Sequence, residues 1–155
     1  MNVRLVKELR FEAAHRLPNV PAGHKCARLH GHSFKIELAV RGPVNERTGW
    51  FIDYGELDAL WQPLHDLLDH NYLNDVPGLE NPTSENIAVW IWKKLKPRLP
   101  LLTEVVVAET CTARCVFRGG VNFATKEHIE ALTNYRNTRH KRRRGGFSSG
   151  ADLTK

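Results

Sequence analysis

The stretch His30-Gly31-His32-Ser33-Phe34-Lys35-Ile36-Glu37-Leu38-Ala39-Val40 decides the fold. His30, His32, Phe34, Ile36, Leu38 and Val40 share the even positions, the period-two pattern of a strand with one face buried. Arg41-Gly42-Pro43 ends it. Upstream, Val3, Leu5, Leu9, Phe11, Ala13 and His15 share the odd positions, with Lys7 the exception, so residues 3–15 read as a second such strand. The Pro-, Gly- and Asn-rich segment from Leu17 to Cys26 joins the two as an antiparallel pair. Downstream, Asp53 is an N-cap with Glu56 three residues on. Leu57, Leu60, Trp61, Leu64, Leu67 and Leu68 then recur at helical spacing, and Pro63 inside that run predicts a kink or break. Residues 71–82 read as a loop with a Pro77-Gly78 turn. A second helix is expected from Thr83 or Ser84 to Lys96, ended by Pro97 and Pro100. Residues 105–109 and 115–117 read as a third and a fourth strand. The order β-β-α-α-β-β predicts an α+β layer: a four-stranded antiparallel sheet with two helices on one face.

The 155 residues suffice for one ordinary domain, and 41% apolar content excludes a wholly disordered chain. No apolar run approaches the roughly 20 residues of a membrane-spanning helix. The charged start Met1-Asn2-Val3-Arg4-Leu5-Val6-Lys7-Glu8 does not read as a secretory signal, so a cytoplasmic location is expected. Three cysteines, Cys26, Cys111 and Cys115, suit a reducing compartment rather than a disulfide framework. Of the net charge of +6, residues 121–155 supply eight Lys/Arg against three Asp/Glu, and residues 1–120 fifteen against fourteen. The basic character therefore belongs to the tail and says little about what the body binds. We expect a domain over residues 1–120. A basic extension over 121–155 follows, with a helix at about 125–139 and then a disordered stretch.

Chemistry concentrates where the alternating strands end. His30 and His32 point to one side, roughly 6.7 Å apart along the strand, and His15 ends the same apolar face of the partner strand. Three imidazoles gathered there suit zinc, which leaves a fourth position open when three histidines hold it. Cys26, four residues before His30 and flanked by Lys25 and Arg28, can be a fourth ligand, a base or nucleophile beside the metal, or a plain buried cysteine. Asp69-His70 can form a carboxylate–imidazole proton relay, provided a helix end or loop lets the neighbours face each other. Glu109 continues the inward side of Val105 and Val107. A carboxylate there can accept two hydrogen bonds from an amino-pyrimidine edge.

Five ordered stretches carry a resemblance: Phe11-Glu12-Ala13-Ala14-His15-Arg16-Leu17, Cys26-x-x-x-His30-Gly31-His32, Leu68-Asp69-His70-Asn71-Tyr72-Leu73-Asn74, Asn81-Pro82-Thr83-Ser84-Glu85 and Glu109-Thr110-Cys111-Thr112-Ala113. Over residues 3–120 the chain resembles the 6-pyruvoyltetrahydropterin synthase / 6-carboxytetrahydropterin synthase family. The three-residue gap between Cys26 and His30 is similar to the bacterial carboxytetrahydropterin branch. The resemblance implies the tunnelling fold, a homo-oligomer built on a trimer and extending to a hexamer, and active sites between subunits. It implies zinc held by His15, His30 and His32, Cys26 as catalytic base with Asp69 and His70 as relay, and Glu109 as anchor of the pterin ring. The implied reaction turns 7,8-dihydroneopterin triphosphate into 6-carboxy-5,6,7,8-tetrahydropterin, releasing acetaldehyde and triphosphate, on the route to queuosine. Lys25, Arg28 and Arg16 are candidates for steering the triphosphate.

Two other readings compete. The pyruvoyl branch would eliminate triphosphate without cleaving a carbon–carbon bond. A nucleic-acid-binding module would use the basic cluster at 139–144, but leaves the histidines, cysteine and glutamate unexplained.

Overall fold

The computed structural model describes residues 1–120; the helix expected at 125–139 and the tail beyond it lie outside the described residues. Strands β1 (Asn2–His15) and β2 (His30–Pro43) pair antiparallel along their full length, from Asn2 opposite Pro43 to His15 opposite His30. Phe11 therefore sits opposite Phe34 and Leu9 opposite Ile36, and the two apolar faces merge. The Phe11 and Phe34 rings stack at 4.8 Å. Lys7, which interrupts the odd series of β1, reaches out of the core to the Asp58 carboxylate at 2.9 Å.

Helices α1 (Tyr54–Leu68) and α2 (Ser84–Leu95) complete the core. Asp53 caps α1 by accepting from the Gly55 N–H, and Thr83 caps α2 by accepting from Asn86 N–H. Instead of breaking at Pro63, α1 runs through it. A proline inside a helix costs about 3 kcal/mol. Leu57, Trp61, Leu64 and Leu68 are all buried on its inner face. Each is worth about 1.5–3 kcal/mol, which offsets the missing hydrogen bond.

Strands β4 (Leu102–Thr110) and β5 (Ala113–Phe117) form the second hairpin. β4 joins β2 antiparallel, with Ile36 opposite Val107 and Leu38 opposite Val105. The sheet has one strand more than expected. Asn71–Tyr72, a pair too short to show any period, forms β3 parallel to β1 beside Ala13 and Ala14, giving the order β3-β1-β2-β4-β5. Among the described residues, no helix is long and apolar enough to cross a membrane.

Candidate active site

The pairing register brings the three histidines together at one end of the core face. His15 and His30 are directly opposite, and His32 faces Ala13 two pairs inward. Ring centroids lie 4.5 Å apart for His15–His30, 5.1 Å for His15–His32 and 5.0 Å for His30–His32. One ring nitrogen from each falls within 4.8 Å of the others, so the group is positioned to bind a metal ion. Phe34 forms the floor, its ring edge-on to His15 and His32 at 5.5 Å.

Backbone carbonyls set the tautomers. His15 Nδ1 lies 2.9 Å from the Pro82 carbonyl oxygen, and His30 Nδ1 lies 2.8 Å from that of Arg28. A carbonyl can only accept, so both Nδ1 atoms carry the hydrogen and both Nε2 atoms present lone pairs. Only two polar or charged residues are buried among those described, His15 and Glu104. Glu104 is fully engaged by Arg4 and Arg118. His15 Nε2 is buried with no hydrogen-bond partner. An orphaned lone pair beside two further imidazoles is the donor set of a metal centre, so these residues fit the metal that the sequence suggests. Burial holds the His15 imidazole below its ordinary value of 6.5, against the Pro82 carbonyl and the charge of Glu109, which both push it up.

A cavity of about 590 Å³ opens in front of the cluster, within the size range of small-molecule sites. Its wall brings together Cys26, His30, His32, Glu109, Lys25 and Arg28. Cys26 is presented by a short 3-10 turn, Lys25–Ala27, capped by the His24 imidazole and tied back by a Leu17 N–H to Cys26 carbonyl bond of 2.8 Å. Glu109 enters from the last residues of β4, half-buried, two residues beyond buried Val107. The cavity thus carries an acid at one point and two cations at another.

Asp69 and His70 lie elsewhere. They follow the last turn of α1, and His70 borders a second hollow of about 530 Å³, lined also by Glu12, His32, Ser33 and Tyr72 among others. His70 adopts a φ of 55°, a left-handed conformation uncommon for a side-chain-bearing residue. That turn lets its Nδ1 reach Asp69 Oδ2 at 2.7 Å, although the two are sequence neighbours. Both are stitched to β1: Glu12 N–H donates to Asp69 Oδ1 at 2.8 Å, and His70 N–H donates to the Glu12 carbonyl at 2.6 Å. The Glu12 N–H, and after it the His70 ring, hold the Asp69 carboxyl below the usual carboxylate range. Within one chain, His70 and Cys26 line different cavities.

Two other thiols stand apart from both cavities' linings. Cys111 is exposed, and Cys115 is half-buried with its thiol pushed up by burial and then by Glu85. The Pro82 and Arg28 carbonyls were not singled out from the sequence, since every residue has a carbonyl. The available signal was indirect: Pro82 immediately precedes the N-cap Thr83, which fixes where the chain must turn.

Residues 4–120 match the 6-pyruvoyl tetrahydropterin synthase family. A Synechocystis protein named 6-carboxy-5,6,7,8-tetrahydropterin synthase is 47% identical over 115 residues, covering 70% of this chain and 88% of its own length. A Dictyostelium discoideum 6-pyruvoyl tetrahydrobiopterin synthase is 37% identical over 122 residues, covering 70% of this chain and 90% of its own. Among solved structures, the Caenorhabditis elegans 6-pyruvoyl tetrahydropterin synthase superposes with a TM-score of 0.71 at 26% identity, covering 77% of this chain and 97% of the other.

Proposed function

Because the chain belongs to the 6-pyruvoyl tetrahydropterin synthase family, we propose that it is a zinc-dependent carbon–carbon lyase converting 7,8-dihydroneopterin triphosphate to 6-carboxy-5,6,7,8-tetrahydropterin. One water is consumed and acetaldehyde and triphosphate are released, the product feeds queuosine and related deazapurines, and the enzyme works in the cytoplasm. One observation carries the reading: the bare Nε2 of buried His15, grouped with His30 and His32, stands behind a cavity shared by Cys26 and Glu109. The name of the Synechocystis relative and the three-residue spacing between Cys26 and His30 support the carboxy product over the pyruvoyl one.

His15, His30 and His32 would hold the zinc. Bound there, the ion would supply Lewis acidity toward substrate oxygens. The chain's own residues do the rest. Glu109 accepts hydrogen bonds from the amino-pyrimidine edge and fixes the ring. Lys25 and Arg28 offer charge to the triphosphate from the same wall. Cys26 Sγ removes a proton from the side chain of the substrate. His70, its Nδ1–H held by Asp69 at 2.7 Å, keeps Nε2 free to take up or return a proton. Because Cys26 and His70 line different cavities of one chain, we further propose that a homo-oligomer, built on a trimer and extending to a hexamer, brings one subunit's His70 to another's Cys26. Residues 1–120 form the catalytic domain, and residues 121–155 are an extension outside it.

The test is direct. Purified protein with zinc and 7,8-dihydroneopterin triphosphate is expected to release acetaldehyde, identified with the pterin product by mass spectrometry. A pyruvoyl product without acetaldehyde would move the protein to the other branch. In the same assay, His30→Ala should lose zinc and turnover together, whereas Cys26→Ala should retain zinc and lose turnover. Loss of zinc from Cys26→Ala would make Cys26 a ligand and sink its role as base.

A further inference from the structure

A side-chain amide outside both cavities' linings joins the two backbone segments that hold His15. Asn74 lies in a 3-10 turn, Leu73–Asp75. Its Oδ1 accepts from Arg16 N–H at 3.0 Å, and its Nδ2 donates to the Arg16 carbonyl at 2.9 Å and to the Glu80 carbonyl at 3.1 Å. The first two bonds grip the residue directly after His15. The third grips the residue two before Pro82, whose carbonyl fixes His15 Nδ1. A closed ring of contacts results, running Asn74, Arg16, His15, Pro82, Glu80 and back to Asn74. Between Glu80 and Pro82, the Asn81 carbonyl accepts a second tie, from Asn86 Nδ2 at 2.7 Å, and a third from Thr83 N–H at 2.9 Å.

We propose that Asn74 is a positioning residue of the metal centre, clamping residues 80–82 against the end of β1 so that Pro82 holds His15 with Nε2 turned to the ion. Three of the four hydrogen bonds open to an amide side chain are spent on backbone of two segments 64 residues apart in sequence. Were the clamp only a loop fastener, either segment could drift without consequence for chemistry. Here the drift would move the acceptor of a fully buried imidazole, whose other nitrogen has no protein partner. Losing an orienting partner of this kind costs a metal site about 10–100-fold in affinity.

The inference rests on the reading of His15 as a metal ligand, and its test avoids turnover. Asn74→Asp keeps the acceptor toward Arg16 N–H and removes both donors. Zinc affinity of the full chain is measured by competition with a chromophoric chelator. The tautomer of His15 is read in the zinc-free protein from long-range proton–nitrogen spectra of its imidazole. Asn74→Asp should weaken zinc binding about 10–100-fold and replace the Nδ1–H tautomer by a mixture. Asn71→Ala, which removes a neighbouring amide bonded to carbonyls at the end of α1, should leave affinity within about twofold. If Asn74→Asp does not fold, Asn86→Ala cuts the second tie and is read in the same two ways. Wild-type zinc affinity and an intact Nδ1–H tautomer in the variant overturn the inference alone. A wild-type protein that binds no zinc overturns the reading of the site and the inference with it.

Discussion

His15 joins the two properties that set the site, complete burial and a nitrogen without a partner. Its imidazole is held below 6.5, first by burial. A depressed histidine favours the neutral form in the fold, so the unfolded chain takes up the proton first as pH falls. The resulting stability is complete above 6.5 and drains away below it, at up to about 1.4 kcal/mol per pH unit for one group. Zinc-free protein unfolded with urea at pH 7.5 and at 5.5 should therefore show a loss that His15→Gln lacks; equal losses in both would remove this account. His70 poses the opposite trade. Its left-handed backbone costs roughly 1–2 kcal/mol, which relieves itself in His70→Gly. That variant should match or exceed wild-type stability by up to about 1 kcal/mol while turnover falls about 10²–10⁴-fold. A stable variant with normal turnover would take His70 out of the reaction.

At the scale of elements, alternation is what made the sheet legible. Period two along β1 and β2 gave both the strands and the shared face of His15, His30 and His32, because a one-residue slip would have turned every one of those side chains outward. Alternation also turned Glu109 to the inward side of Val105 and Val107, whereas Cys26 was placed only by its spacing of four residues before His30. Elements without a period were not legible. The two residues of β3 are fixed by the bonds that Asp69 and His70 make to Glu12, and those partners are more than fifty residues away in sequence. The Pro82 carbonyl and Asn74 act through backbone positions that only the folded chain brings together. Of the kink or break expected at Pro63, the break does not occur, since the cost of the proline is local and its offset comes from packing. The same balance yields a prediction. Pro63→Ala returns a helical N–H without disturbing the buried Trp61 and Leu64, so it should raise stability by about 1–3 kcal/mol. Thermal unfolding of the zinc-loaded protein should show this with turnover unchanged, and a lower melting temperature would mean that α1 needs the proline.

At the scale of the whole molecule, the decisive fact is a separation. Cys26 lines one cavity with Glu109, and His70 lines another with Glu12 and Ser33. His32 borders both, so the two hollows meet at β2 while Cys26 and His70 stay on separate walls within one chain. If subunits complete each other, the two defects Cys26→Ala and His70→Ala are complementary. Each variant alone is inactive. In a randomly mixed oligomer, a site is intact when its Cys26 comes from the His70→Ala subunit and its His70 from the Cys26→Ala subunit. That occurs in about one quarter of sites, by the symmetry of closed assemblies. Unfolding the two variants together and refolding them at equal amounts should therefore recover about one quarter of wild-type turnover per site, whereas mixing without subunit exchange should recover none. A refolded mixture as inactive as its parents would place Cys26 and His70 in one chain's site, and the two cavities would then have to join by a movement within the subunit.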